Sequence, residues 1–238
     1  MLWRLDETSG TTASDTSNHS RTGTLGSGLA VPHWAPGLMN GGLYFDGDDY
    51  ISAGTNSALS FVARSFTLEA WVKVDLTNSP GTGRLFSRGD VIHTNYRLDI
   101  IDPLIEFGWS TGDTVDAEIK VTKSLRDGAW HHLAAVWDNS QTRARIFVDG
   151  HQEGNKVMLG PTYGDSWPMT CGGFVNGGLV DKAFAGTMDL VAITNAALYS
   201  SDFTPPLLYP SATTRYVRLS WSPVTSIAAI WAIGPNAS

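Results

Sequence analysis

Two acidic loops are the first residues in this chain whose types invite chemistry: Asp15-Thr16-Ser17-Asn18 and Asp46-Gly47-Asp48-Asp49. A hard cation such as calcium collects roughly six to eight oxygens from carboxylates, carbonyls and water, and such loops supply them. Neither loop has the spacing of a helix-loop-helix calcium motif. The same residues also suit tight turns, because Asp and Asn side chains bond their own backbone. His131-His132 is the next pair. On a strand, neighbours point to opposite faces, so both cannot ligate one ion. No further His or Cys stands at metal spacing, so one ring is expected inside and the other on the surface. Glu69 could be half of a glycosidase carboxylate pair. Its strand face carries Thr67, Trp71 and Lys73 but no second carboxylate. A Gly-x-Ser-x-Gly nucleophile motif is absent as well. The expectation is a protein that is not an enzyme. Aromatic rings near loops offer a different chemistry, stacking on sugar faces. Tyr163 and Trp167 are the leading candidates for ligand binding, ahead of Trp34 and Trp109, with core packing as the other role for such rings.

The elements that would position these residues are strands. Phe66-Thr67-Leu68-Glu69-Ala70-Trp71-Val72-Lys73-Val74 alternates cleanly, with Phe66, Leu68, Ala70, Val72 and Val74 on one face. Similar runs occupy Arg84–Arg88, Tyr96–Ile101, Leu104–Trp109, His131–Trp137, Ala144–Val148, Lys156–Leu159 and Leu190–Thr194. Asp127-Gly128 and Asp149-Gly150 are strong turn signals. The 238 residues include 25 Gly and 9 Trp, and only 16% are charged. Short strands joined by Gly, Asp and Asn turns read as an all-β antiparallel sandwich.

A net charge of −7 argues against a nucleic-acid partner, which needs a clustered basic surface. The single cysteine, Cys171, excludes an intramolecular disulfide and is expected in or near the core. Met1-Leu2-Trp3-Arg4 has no basic start followed by an apolar run, so no secretory signal peptide is expected. No apolar stretch reaches the length of a membrane span.

Six blocks in order resemble the laminin-G-like, concanavalin A-like jelly-roll family. They are Trp3–Asn18 with Gly23–Leu25, then Leu43–Ile51, Phe66–Val72, Gly128–Asp138, Arg145–Gly150 and Phe184–Asp189. The resemblance covers about residues 1–200. It implies two stacked antiparallel sheets, binding of glycans or proteins, and in many relatives a structural calcium. It also implies that the late Asp189 joins Asp15 and Asn18 in a calcium site.

Residues after Pro205 have no counterpart in that pattern. Pro205-Pro206 and Pro210 force extended backbone. Beyond them come Tyr216, Trp221, Ile227, Ile230, Trp231 and Ile233, too apolar to lie exposed together on a soluble monomer. Residues 1–200 are therefore read as the jelly-roll sandwich and 201–238 as an extended C-terminal arm or added strands for assembly. The arm either returns to its own sandwich or docks on a self-oligomer, a capsid or a tail protein. The first reading is a non-catalytic virion-surface component, such as a phage capsid decoration protein or tail adhesin. The alternative is a carbohydrate-binding module, with calcium as a candidate cofactor. Glycoside hydrolysis ranks third. The expected location is a virion surface or the extracellular space.

Overall fold

A computed structural model describes residues 1–207, apart from 29, 78–81, 90–92, 112–115, 165–166 and 177–178. The alternating segments become strands. In chain order they begin with β1 (Leu2–Trp3), β2 (Thr12–Ala13), β3 (Gly23–Leu25), β4 (His33–Met39), β5 (Gly41–Asp46) and β6 (Ile51–Gly54). Next come β7 (Phe66–Val74), β8 (Thr82–Gly89), β9 (Thr94–Ile101), β10 (Leu104–Ser110), β11 (Asp116–Thr122) and β12 (His131–Asp138). The last are β13 (Arg143–Val148), β14 (His151–Val157), β15 (Met169–Cys171), β16 (Phe174–Asn176), β17 (Leu179–Asp181) and β18 (Ala185–Thr194).

Two eight-stranded sheets result. The first runs β14-β13-β12-β7-β18-β5-β4, with β1 added on β18. The second runs β11-β10-β9-β8-β15-β6-β3-β2, and β16-β17 form a separate ribbon. Neighbouring strands pair antiparallel. This is the two-sheet concanavalin A-like sandwich that the blocks imply.

The core lies between the sheets. From β7, Phe66, Leu68, Ala70, Val72 and Val74 all point into it, as their spacing predicts. They meet Leu98, Phe107 and Trp109 of the second sheet. An aromatic cluster ties the layers together: Phe61 stacks on Phe66 at 4.7 Å, and Trp109 meets Trp137 edge-on at 4.9 Å. Each fully buried Leu or Phe side chain contributes about 1.5–3 kcal/mol relative to exposure. Cys171 is buried, and burial raises its thiol pKa above the usual range, so it behaves as a small apolar core residue. Trp109 lies inside β10 and is fully buried, so it is a core residue and not a loop platform.

The other face of β7 is also closed, which strict alternation does not predict. Residues 196–206 cross it as a strap. Ala197, Tyr199 and Phe203 cover Ala134, Val136 and Phe147. Tyr199 and Phe203 stack at 3.5 Å. Thr67 Oγ1 donates to the Ala196 carbonyl at 2.7 Å, and Trp71 Nε1 to the Pro206 carbonyl at 3.0 Å. The first described residues of the arm thus fold onto their own sandwich. Tyr216, Trp221, Ile227, Ile230, Trp231 and Ile233 lie outside the described residues.

Candidate functional site

The outward face of β8–β11 carries charge in register. Arg84 stands opposite Asp99, Asp99 opposite Glu106, and Glu106 opposite Lys120. The next row is Ser87, Arg97, Gly108 and Glu118. Between these rows, Phe86, Leu98, Phe107 and Ile119 point the other way, into the core. A break in register between Arg84 and Phe86 makes the ladder possible. Arg84 and Ser87 are three residues apart and would face opposite sides of an ideal strand. The bulge at Leu85 returns both to one face.

Ion pairs link the rungs. Arg84 grips Asp99 with two nitrogens, at 2.7 and 3.0 Å. Arg97 bonds Glu118 at 2.7 Å and lies 3.6 Å from Asp99. Lys120 reaches both Glu106 and Glu118 at 2.8 Å. Hydrogen bonds that Lys120 donates to Glu106, then to Glu118, hold its pKa above its usual value. Gly108 sits in register between Arg97 and Glu118, so no side chain separates them.

Exposure rises along the ladder, from 2% at the Asp99 side chain to 27% at Glu118 and 45% at Lys120. The closed end is roofed by the β16-β17 ribbon, whose Phe174 ring lies 5.4 Å from the Arg84 guanidinium. The open end adjoins a groove between β11 and β14, lined by Glu118, Lys120, Glu153, Gly154, Asn155 and Lys156. At the far end of β9, Asn95 shares the face of Arg97 and Asp99 by alternation. Asn95 donates to the Tyr163 carbonyl at 2.5 Å, which brings the loop after β14 against this face. That loop also carries Trp167, 39% exposed.

The other sequence-selected residues fall elsewhere. Asp15 accepts hydrogen bonds from the N–H groups of Leu2, Ser17 and Arg21 and from the Ser17 hydroxyl. A carboxylate offers about four lone-pair sites, so these donors occupy it. Burial alone would raise its pKa, but the Ser17 hydroxyl and the three N–H groups outweigh burial and hold it at about 2. Asn18 is exposed in a left-handed turn, at φ 59. Asp189 is fully buried on β18, where its Oδ2 accepts from the Met39 N–H at 2.9 Å while Oδ1 accepts nothing. Burial, with the charge of Asp6, raises its pKa to about 6 against the backbone N–H bonds it accepts. Among the described residues no hydrogen bond or ion pair joins Asp15, Asn18 and Asp189.

Asp46, Asp48 and Asp49 do converge: each offers a ligand oxygen within 4.8 Å of the others, a geometry able to hold a metal. Glu69 lies beneath the strap, accepting from the Tyr199 hydroxyl at 2.8 Å and facing His132 Nε2 at 3.5 Å. His132 is fully buried there, whereas His131 bridges Asp149 and Asp127 at 2.8 and 3.0 Å near the surface. The ladder itself is not evident from the sequence. Arg84, Arg97, Asp99 and Glu106 read one at a time as ordinary polar positions of strands. Their alternation was the available signal, but the cross-strand register was not.

The chain belongs to the Laminin_G_3 family, described as the concanavalin A-like lectin/glucanases superfamily, whose pattern matches residues 45–202. No curated protein matches the chain. Among solved structures, the binding domain of Paraclostridial Mosquitocidal Protein 1 is similar, with TM-score 0.64 and 13% identity over 83% of this chain. This chain spans about half of that structure, 48% of its length. Domain 4 of AbnA, a GH43 extracellular arabinanase from Geobacillus stearothermophilus, in complex with arabinotriose, is similar at TM-score 0.61 and 19% identity, over 83% of this chain and 92% of its own. The CBM40 of the Ruminococcus gnavus IT-sialidase, bound to alpha2,3 sialyllactose, is similar at TM-score 0.55 and 12% identity, over 66% and 91%. At these identities the likeness establishes the fold.

Proposed function

We propose that this chain is a non-catalytic glycan-binding module that takes an oligosaccharide along the outward face of β8–β11. The observation that carries this reading is the ladder, with carboxylates and cationic groups alternating on a rigid sheet and its exposure increasing toward Glu118 and Lys120. A sugar hydroxyl both donates and accepts, so a carboxylate beside an ammonium or guanidinium satisfies it on both sides. Trp167 offers an exposed ring on the loop that meets the other end of this face, a surface on which a pyranose can stack. Two of the similar domains are described with arabinotriose or sialyllactose bound, which supports the same class of ligand.

The sequence placed a virion-surface role first and glycan binding second. The similar structures are carbohydrate-binding modules and the binding domains of toxins, which favours glycan binding over the virion role. Anchoring through residues 205–238, on a virion or elsewhere outside the cell, is a separate proposal. It starts from the Trp71–Pro206 bond, where the strap leaves the outer face of the first sheet. Light scattering of the full chain against residues 1–207 tests it, and equal monomeric masses would sink it.

For glycan binding, the full chain is applied to a glycan array and the retained glycan is titrated. Glu118→Gln, Lys120→Ala and Trp167→Ala are each expected to weaken binding by about tenfold, the effect of losing one charge-assisted bond or stacking face. No retained glycan, or affinity unmoved by all three variants, would refute the reading.

A further inference from the structure

A cavity of about 360 Å³ opens where the loop before β3 meets the end of β18. Ser17, His19 and Arg21 line it from that loop, and Arg64 from the turn before β7. Leu2, Ala58 and Ile193 supply apolar wall. The frame is fixed from both sides. Asp15 holds the loop, accepting from the Arg21 N–H at 2.9 Å and from the Ser17 hydroxyl at 2.6 Å. Met1 and Ile193 exchange two backbone bonds, each of 3.0 Å.

What marks this cavity is unpaired positive charge in a chain of net charge −7. Arg84, Arg97 and Arg145 each face a carboxylate, at 2.7, 2.7 and 3.8 Å. Among the described residues neither Arg21 nor Arg64 forms an ion pair. The Arg21 Nε is buried and donates to no acceptor. A buried guanidinium N–H without an acceptor is costly, because water cannot replace the missing partner. Asp15 does not supply that acceptor, since four donors already occupy its oxygens. Arg64 is exposed and open to a ligand from solvent.

We propose that this cavity binds a small organic anion, with its carboxylate, sulfate or phosphate group between Arg21 and Arg64 and its apolar body against Leu2, Ala58 and Ile193. A guanidinium presents its N–H donors in a planar fork that matches such an oxyanion, and it stays charged at any physiological pH. The buried Arg21 Nε gains its missing acceptor from the bound anion. The volume suits a ligand of about one ring with its charged group, and apolar walls with a few convergent polar groups are the usual make-up of such a pocket. The site is separate from the β8–β11 ladder, and its test uses no glycan, so the two readings fail independently.

The full chain, in Tris chloride buffer, is titrated by calorimetry and thermal melting with benzoate, benzenesulfonate and phenyl phosphate. These carry the three oxyanions on one ring, and benzyl alcohol is the neutral probe. At least one anion is expected to give a saturable heat with one site per chain and a melting temperature that rises with its concentration. The tightest of the three names the oxyanion. Arg64→Gln, at an exposed position, is expected to melt like the wild type without ligand and to weaken anion binding by about tenfold, the loss of one charge-assisted bond. Arg21→Gln is expected to weaken it similarly, and the double variant by more than either. Lys182→Gln, an exposed charge at the opposite end of β18, is expected to leave it unchanged. Four results would each overturn the proposal: no heat or melting shift with any anion, anion affinity undiminished in the double variant, benzyl alcohol bound as tightly as the best anion, or an equal loss in Lys182→Gln, which would mark diffuse attraction without a site.

Discussion

The outward face of the first sheet holds Glu69 and His132, 3.5 Å apart, under Tyr199, Phe203 and the rest of the strap. The outward face of the second sheet holds Glu118 and Lys120, 2.8 Å apart, at the edge of an open groove. Both faces carry a carboxylate beside a basic group on a rigid strand. They differ in what lies above them. On the first sheet the chain covers its own polar groups with aromatic rings, so Glu69 has no route to a substrate. On the second sheet the Arg84 end is covered, and the ladder runs out into solvent at Glu118 and Lys120. A reactive residue type on a strand therefore says little until the covering of that face is known.

The largest expected effect breaks the cover. Phe147→Ala removes the ring on which Tyr199 and Phe203 pack, and should cost about 3–5 kcal/mol in chemical denaturation. Glycan affinity of the folded fraction should be unchanged; a loss of affinity there would mean the two faces are not independent. Arg84→Ala probes the closed end of the ladder. It strands Asp99, 2% exposed, without its bidentate partner and should cost about 3 kcal/mol. If the cost is below about 0.5 kcal/mol, Asp99 has water access and the closed end is open.

Tyr199→Phe tests the strap chemically. It removes the one hydroxyl donated to Glu69 and should cost about 1–2 kcal/mol, read from urea midpoints. Acid titration gives a signal of about 1 kcal/mol. Asp15 titrates at about 2 in the fold, below its value of 3.8 in an unfolded chain. Folding favours its ionised form, so its contribution is complete above pH 4 and drains as pH falls toward 2. Asp189, at about 6, has the opposite sign: folding favours its protonated form, and its ionisation costs stability as pH rises from 4 to 6. Asp189→Asn should flatten that decline in calcium-free buffer and leave the drop below pH 4 intact. The smallest stability effect belongs to Lys120→Ala, about 0.2–1 kcal/mol, because its partners stay partly hydrated. That variant sharpens the comparison most, since it should barely alter folding while weakening glycan binding.

Much of the sandwich was legible in the residues. The β7 alternation places its five core residues as the spacing predicts, and the Asp149-Gly150 turn joins β13 to β14. The candidate site was less legible for a physical reason. Arg84, Asp99, Glu106 and Lys120 come from four strands, and only cross-strand pairing puts them in one row. The Leu85 bulge hid it further, because strict period-2 reading sends Arg84 and Ser87 to opposite faces. Asp15 and Asp189 show the reverse case, two residues linked by the family resemblance with no hydrogen bond or ion pair joining them in the fold.

By itself the sequence determined the fold class and its inner surface, since alternation and turn residues act over a few neighbours and the need to bury one face does the rest. Tertiary structure decided which polar groups meet and which are covered. The row from Arg84 to Lys120 depends on register between strands, and the cover over Glu69 on a strap about 130 residues away in the chain. Such contacts are set by packing across the whole molecule, and no local spacing encodes them.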